Sequence, residues 1–114
     1  MRQIASGFQS LIMSNRKLRL LPLVRKDLRE MARYTRQQWG NDQQRSIKRR
    51  FNAVFEDLSR YPELGRARFD LGPDMRALAF ERHVIVYRYE GSGTTVLRIL
   101  NERQLLSEES LQEQ

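Results

Sequence analysis

Arginine gives this 114-residue sequence most of its chemical capacity: there are 18 arginines, three lysines and one histidine, His83. A guanidinium group pairs with carboxylate or phosphate through two parallel hydrogen bonds, and histidine is the usual general base near neutral pH. Because the sequence has no cysteine and a single histidine, it lacks the ligands for thiolate or His-rich metal sites and for a disulfide framework. The candidate chemistry is therefore anion binding, or proton transfer by His83.

His83 is more typical of a packing residue than of a catalyst. It opens the apolar pattern of residues 83–87, where a partly buried, hydrogen-bonded ring is expected. Tyr87 and Tyr89 follow at two-residue spacing, which places all three rings on one face of a strand. The sequence shows no acidic pair with metal-ligand spacing, and residues 91–93 (GSG) indicate a turn rather than a phosphate-binding loop.

The formal net charge of +7 implies an anionic partner, which is nucleic acid, an acidic protein segment or a membrane surface. Residues 16–60 contain 13 basic and 5 acidic side chains, whereas residues 61–103 contain 7 and 6. This distribution predicts a basic helical face followed by a nearly neutral, packed region. No apolar run approaches the roughly 20 residues that cross a bilayer.

Hydrophobic periodicity predicts a strand and then a helix in the first part of the chain. Residues 17–21 alternate between polar and apolar side chains, as in a half-buried strand that Pro22 ends. Apolar residues then recur at helical spacing from Val24 to Trp39, and Gly40 occupies the position that a C-terminal helix cap prefers.

A second helix is predicted to follow at once. Asn41 and Gln44 resemble a capping box that opens it, and an apolar stripe runs from Ile47 to Leu58 before the segment ends near Tyr61. Two amphipathic helices that meet at residues 40–41 form an αα-hairpin.

Beyond the helices the periodicity becomes that of strands. Residues 63–74 are predicted to form a loop, 75–80 and 83–90 two strands, and 94–100 a returning strand. The pattern at 83–87 is apolar on both faces, which favours a central strand with helices over one side. We predict an α+β domain of order β-α-α-β-β-β, with an αα-hairpin packed on a small antiparallel sheet, followed by a short C-terminal helix or tail.

Composition divides the chain into three segments. Residues 1–15 lack sustained periodicity and are predicted to be a disordered or loosely ordered leader; the alternatives are a weak organellar presequence, or sequence upstream of a start at Met13. Residues 16–103 form the predicted domain. Residues 104–114 contain three glutamates and no basic residue, and form an acidic tail.

Four motifs occur in a fixed order between residues 18 and 103. They are Asp27-Leu28 with Tyr34 and Gln38-Trp39-Gly40, then Leu58 with residues 62–66 (PELGR), then Arg76 with residues 82–88 (RHVIVYR), and finally residues 96–103 (VLRILNER). They resemble the patterns DL...I..Y...WG, L...P.LGR, LR....HVIFYR and V.I.RVLHGR of the ParE branch of the RelE/ParE toxin superfamily, from bacterial type II toxin–antitoxin systems. The ordered set, rather than any single motif, carries this resemblance.

The resemblance implies a fold, a partner and a target. The family fold is the β-α-α-β-β-β arrangement that the periodicity also predicts. Family members inhibit growth in the cytoplasm, and each is neutralised by an antitoxin encoded beside it. ParE-type members poison DNA gyrase, whereas RelE-type members cleave mRNA on the ribosome. A ParE-type protein is expected to act by protein contact, without a cofactor, a metal, a membrane or direct binding of nucleic acid.

Nine residues are candidates for contact with the target or the antitoxin. The alternative for Arg66 is a structural role in locking the loop between helices and sheet. For the others the alternative is an ordinary solvated face, which would include Arg45, Lys48, Arg49 and Arg50, or ion pairs with Glu63, Asp70, Asp74 or Glu102. The candidates are Arg25, Arg29, Arg33, Arg36, Trp39, Arg66, Arg76, Arg98 and Arg103.

Ribosome-dependent RNA cleavage is the alternative function. Attack by a 2′-hydroxyl needs a base, an acid and cations around the phosphate, and Arg76 and Arg103 match sheet arginines of RelE-type sites. However, the tail after Arg103 contains neither the Tyr nor the His of such sites, and its glutamates repel a phosphate backbone. A third hypothesis is an inactive paralogue that retains only antitoxin binding.

Overall fold

The computed structural model describes residues 18–91 and 93–101, so the predicted leader, the predicted tail and Arg103 lie outside the described residues. The order of helices and strands that the periodicity predicts is confirmed, with one short extra strand and a 3-10 turn inside the predicted loop. The elements are β1 (Leu18–Leu20), α1 (Pro22–Trp39), α2 (Asn41–Arg60), β2 (Arg66–Ala67), the 3-10 turn (Phe69–Leu71), β3 (Met75–Phe80), β4 (His83–Glu90) and β5 (Gly93–Asn101).

The five strands form one sheet in the order β1-β5-β4-β3-β2. Strands β2 to β5 pair antiparallel, but β1 pairs parallel with β5, from Leu18 opposite Thr94 to Leu20 opposite Val96. The sheet is therefore mixed rather than antiparallel. As the apolar pattern predicts, β4 and β5 lie inside the sheet. Leu97 is an extra residue in β5, because Val86 pairs with Arg98 and Tyr87 with Val96; such a bulge bends the strand locally.

The corner between the two helices is made by Gly40, which ends α1 and also precedes α2. Its φ of 94° and ψ of 178° lie in a region that only glycine adopts readily. The predicted capping box is wrong: Asn41 is already the first helical residue, and no side chain caps the start of α2. The carbonyl of Gly40 accepts the first helical hydrogen bond, from the Gln44 amide at 3.2 Å.

The main core lies between the helices and one face of the sheet. On α2, Phe51, Phe55 and Leu58 are fully buried, and they pack with Ile85 and Tyr87 of β4. This sheet face follows from strand alternation, since β4 residues 83, 85 and 87 share it. Burying side chains of this size stabilises the fold by about 1.5–3 kcal/mol each.

The opposite side of the sheet, which we call the second face, carries a smaller apolar cluster. Strands β3, β4 and β5 contribute Met75, Val86, Leu97 and Leu100 to it, and the 3-10 turn contributes Leu71. The apolar pattern of β4 on both faces is thereby explained, since the two faces pack into two separate clusters. Neither helix described has the apolar character of a membrane span.

Candidate functional site

Helix α1 presents a row of arginines along one flank. Arg25, Arg29, Arg33 and Arg36 are spaced by three or four residues, so they share one side of the helix. Arg29, Arg33 and Arg36 are exposed, and Arg25 is half-buried. The three exposed arginines form no ion pair with any described residue. Three like charges held on a rigid helix create a positive surface that is available to an anionic partner.

Trp39 lies at the end of this arginine flank, although its spacing places it on the apolar stripe. It is the last residue of α1 and is 70% exposed, because the helix ends beyond the region that packs on the sheet. The nearest arginine of the flank, Arg36, lies one turn earlier. Exposed tryptophan beside arginine is a combination that is enriched at the energetic centres of protein interfaces. We call Arg29, Arg33, Arg36 and Trp39 the α1 flank.

The cations of α2 are more often paired than those of the α1 flank. Arg45 forms an ion pair with Asp42, and Arg50 contacts Glu81 with an Nε–Oε2 distance of 2.5 Å. Lys48 is half-buried, and Arg49 is exposed on the outer side of the helix. The basic face predicted for both helices is thus concentrated on α1.

Arg98 is largely buried and joins the sheet to α1. Its Nε donates to Oδ2 of Asp27 at 3.3 Å, and the same oxygen accepts the Ile99 amide hydrogen bond at 3.2 Å. Among the described residues its acidic partner is therefore Asp27 of the first motif, rather than Glu63, Asp70 or Asp74. One carboxylate here satisfies a cation and a strand-edge amide together, which makes Arg98 a structural residue rather than part of an exposed surface.

Arg76 locks the loop between α2 and β2, the role expected of Arg66. Its Nη1 donates to the Gly65 carbonyl at 2.6 Å and more weakly to the Glu63 carbonyl at 3.4 Å. Arg66 itself is exposed on β2. The guanidinium of Arg76 therefore points to backbone oxygens of its own chain, and Arg66 is the arginine of this pair that remains available to a partner.

Tyr87 holds the same loop from inside the core. Its hydroxyl donates to the Pro62 carbonyl at 2.6 Å and accepts the Gly65 amide hydrogen at 2.8 Å. Burial raises the pKa of this phenol, against the opposing effects of the Gly65 hydrogen bond and the nearby Arg76 charge. A Cβ on Gly65 would lie 2.7 Å from the Tyr87 hydroxyl oxygen, so glycine is required there by close approach.

His83 packs in the core rather than in a polar site. Its ring lies edge-on to Phe51 with 5.6 Å between ring centroids, and the ring is half-buried. The described residues contain no group of three or more His, Asp or Glu side chains that could hold a metal ion. Together these contacts support the packing interpretation of His83.

A second group of exposed apolar residues was not predicted from the sequence. Tyr61, Leu64 and Phe69 project from the loop region, and Phe69 is 79% exposed. Tyr61 and Leu64 help to line a shallow depression of about 480 Å³, which is formed by residues 60–64 and Tyr89. The only sequence signal was the presence of large apolar residues in a predicted loop, where polar side chains are more common.

Comparison with known proteins places these features in a family. The family described as "ParE toxin of type II toxin-antitoxin system, parDE" matches residues 18–106. Toxin ParE1 of Mycobacterium tuberculosis is 34% identical over 92 residues, which cover 80% of this chain and 93% of that protein. Toxin ParE3 of Caulobacter vibrioides is 40% identical over 58 residues, which cover 51% of this chain and 58% of that protein.

A solved structure supports the same fold. The chain aligns with a "Chromosomal ParDE TA system from P. aeruginosa" with a TM-score of 0.64 and 18% identity, over 75% of this chain and 94% of that one. Residues of the sequence motifs make contacts that hold the fold together. Asp27 binds Arg98, and the Gly65 amide donates to the Tyr87 hydroxyl. The chain belongs to the ParE toxin family of type II toxin–antitoxin systems.

Proposed function

We propose that this ParE-family toxin arrests growth in the cytoplasm by inhibiting DNA gyrase through protein–protein contact, and that a cognate antitoxin neutralises it. The observation that carries the proposal is the α1 flank, where three exposed arginines without ion pairs in the described residues lead to an exposed Trp39. A tryptophan anchor among arginines suits a desolvated protein interface, whereas catalysis needs a base and an acid at one point.

The antitoxin is expected to be acidic where it meets the toxin. A helix laid along the αα-hairpin would bring carboxylates to the α1 flank and speed the encounter of the two proteins. Sheet addition is a second mode of attachment, in which a strand of the antitoxin would extend the sheet at an edge.

The geometry of Arg76 argues against the nuclease alternative. Its guanidinium donates to two backbone carbonyls of the loop, those of Gly65 and Glu63. Phosphate binding by Arg76 would require these hydrogen bonds to break. Arg103, the second residue of the nuclease hypothesis, lies outside the described residues.

A supercoiling assay with purified gyrase tests the proposal. The full chain is expected to block supercoiling of relaxed DNA or to accumulate a cleavage complex, and Arg33→Ala with Arg36→Ala is expected to weaken this effect strongly. Arg45→Ala with Arg49→Ala is the matched control, since it removes the same charge from α2. Unimpaired supercoiling at a large molar excess of the toxin would reject gyrase as the target.

Primer extension on translated mRNA tests the nuclease alternative directly. That alternative predicts cuts within codons, which disappear in the variant Arg76→Ala with Arg103→Ala. If neither gyrase inhibition nor cleavage occurs while the neighbouring antitoxin still binds tightly, the chain is an inactive paralogue.

A further inference from the structure

The loop between α2 and β2 exposes apolar side chains although its backbone is firmly held. The Tyr61 amide donates to the Asp57 carbonyl at 2.7 Å, and the Leu64 amide donates to the Tyr61 carbonyl at 3.0 Å. The hydrogen bonds of Tyr87 and Arg76 fix the rest of the loop. Even so, Tyr61 is 62% exposed and Leu64 is 49% exposed. A backbone that is already fixed loses little entropy on binding, so this loop is preorganised for contact with a partner.

The same loop offers both projecting side chains and a recess. Tyr61 and Leu64 are exposed to solvent, and both also border the depression formed by residues 60–64 and Tyr89. Two identical copies related by a two-fold axis need this property, because each copy must present the same patch to the other. Mutual burial of Tyr61 and Leu64 in two such depressions would remove apolar surface from water on both copies.

Charge at this loop suits a second copy better than an acidic partner. Residues 56–63 contain three exposed acidic side chains and one exposed basic side chain, in contrast to the cations of the α1 flank. Arg60 and Glu63 both border the depression. Glu63 forms no ion pair with a described residue, and Arg60 contacts Glu56 through Nη2 at 2.7 Å. A two-fold axis would place Arg60 of each copy beside Glu63 of the other, whereas an acidic protein or a nucleic acid would meet an excess of carboxylates.

We propose that this toxin forms a two-fold dimer through the loop between α2 and β2, with Tyr61 and Leu64 of each copy in the depression of the other and Arg60 paired with Glu63 of the second copy. The six residues of the depression are fewer than the roughly 20–30 of a standard interface, so the dimer is weak and reversible. Helix α2 has 20 residues and is about 30 Å long, which separates this contact from Trp39 at the other end of the hairpin. The dimer therefore presents two accessible copies of Trp39.

Sedimentation velocity of the full chain tests whether the dimer forms. We expect the mass to rise from the 13.6 kDa of the monomer toward twice that value as the protein concentration reaches about 500 µM. Tyr61→Ser with Leu64→Ser is expected to stay monomeric. The control Phe69→Ser removes an exposed aromatic side chain outside the depression and is expected to dimerise normally. A monomer at every concentration, or equal association of the double variant and the unmodified chain, overturns the proposal.

Exchange of two charges tests the two-fold geometry. Glu63→Arg brings two cations together in each contact and Arg60→Glu brings two anions together, so each variant alone is expected to stay monomeric. An equal mixture of the two is expected to form a heterodimer, because every contact then joins opposite charges again. Circular dichroism of each variant checks that the fold is retained. No recovery on mixing overturns the proposal, and so does growth beyond a dimer, which indicates a head-to-tail contact.

The cognate antitoxin is the other occupant that the depression could hold. Its affinity for Tyr61→Ser with Leu64→Ser is expected to equal its affinity for the unmodified chain at concentrations where the toxin is monomeric. If this affinity falls at least tenfold while the unmodified chain shows no dimer, the depression belongs to the antitoxin interface and the proposal is wrong.

Discussion

At the scale of single residues, Tyr87 and Asp27 each hydrogen-bond to two partners through one functional group. The Tyr87 hydroxyl joins the Pro62 carbonyl to the Gly65 amide, and a carboxylate oxygen of Asp27 joins Arg98 to the Ile99 amide. A substitution at either position therefore disturbs two polar groups at once. Leaving a buried polar group unpaired costs more free energy than its hydrogen bond contributes. Substitutions at Tyr87 or Asp27 are therefore expected to lower stability by more than the contribution of one hydrogen bond.

We expect Tyr87→Phe to lower the free energy of unfolding by about 1–3 kcal/mol, because the loop amide and carbonyl lose their partner. Urea denaturation measures the change, and Tyr34→Phe is the control, since Tyr34 is 61% exposed. An equal effect of the two substitutions would contradict the role of the hydroxyl.

The same substitution should also change the pH dependence of stability. Burial raises the pKa of Tyr87 above its usual 10.0, so the fold favours the neutral phenol. Its stabilising contribution is complete below about pH 10 and declines as the pH rises through the raised pKa. The difference in unfolding free energy between the parent chain and Tyr87→Phe should therefore shrink in titrations above pH 10, and a constant difference would show that Tyr87 does not ionise more readily on unfolding.

We expect Asp27→Ala to destabilise the fold by about 3 kcal/mol, since it removes the carboxylate from a largely buried ion pair. Glu30→Ala is the control, because Glu30 pairs with Lys26 at the exposed surface, where such pairs contribute about 0–1 kcal/mol. Thermal or chemical denaturation compares the two. If Asp27→Ala is as mild as Glu30→Ala, the link between α1 and β5 is not structurally important.

The strands and helices were more predictable than the contacts that hold them. The strands Met75–Phe80 and His83–Glu90 have the predicted bounds, because apolar alternation and turn residues mark them. Strand β2 was missed because it has only two residues, both exposed. The capping box failed because Gly40 makes the corner with its backbone alone, which leaves no side-chain signature.

The Arg98 contact could not be predicted for a different reason. Asp27 lies 71 residues earlier, and no local pattern indicates that α1 crosses the edge of β5 at that point. Likewise, Arg66 and Arg76 look equivalent in the sequence, and only their places in the sheet decide that Arg76 binds the loop. Of the candidate site, the arginine row of α1 was predictable from helical spacing, whereas the exposure of Trp39 depends on where α1 stops packing.

Three glycines provide a matched test at the scale of the elements. Gly40→Ala meets no neighbouring atom but must adopt a positive φ, so we expect a loss of about 1–3 kcal/mol from backbone strain. Gly65→Ala is expected to be costly because of its contact with Tyr87 rather than its φ. Gly91→Ala should be nearly neutral, since nothing lies within 4 Å and its φ is not positive. Denaturation of the three variants checks this order, and a Gly91→Ala cost equal to that of Gly40→Ala would contradict it.

For the whole molecule, the uneven charge predicts salt-sensitive association. The net charge of +7 would attract the acidic antitoxin that we propose from a distance, and salt screens such attraction over about 8–10 Å. We expect the association rate to fall steeply with ionic strength, and Arg33→Ala with Arg36→Ala to reduce both the rate and its salt dependence. Stopped-flow mixing measures both, and a rate that does not depend on salt would exclude electrostatic steering by the α1 flank.

The parallel pairing of β1 with β5 has a consequence for the timing of synthesis. Thr94 pairs with Leu18, 76 residues earlier, and β5 lies between β1 and β4 in the sheet. Strand β1 can pair only after β5 has been synthesised. Translation of the 76 residues between them takes about 4–15 s at 5–20 residues per second. On a chain that ends before β5, neither the pairing of β1 nor the contact of Asp27 with β5 can form. A prematurely terminated product is therefore expected to lack the native fold, and an antitoxin already present in the cell has the whole period of translation before a folded toxin exists.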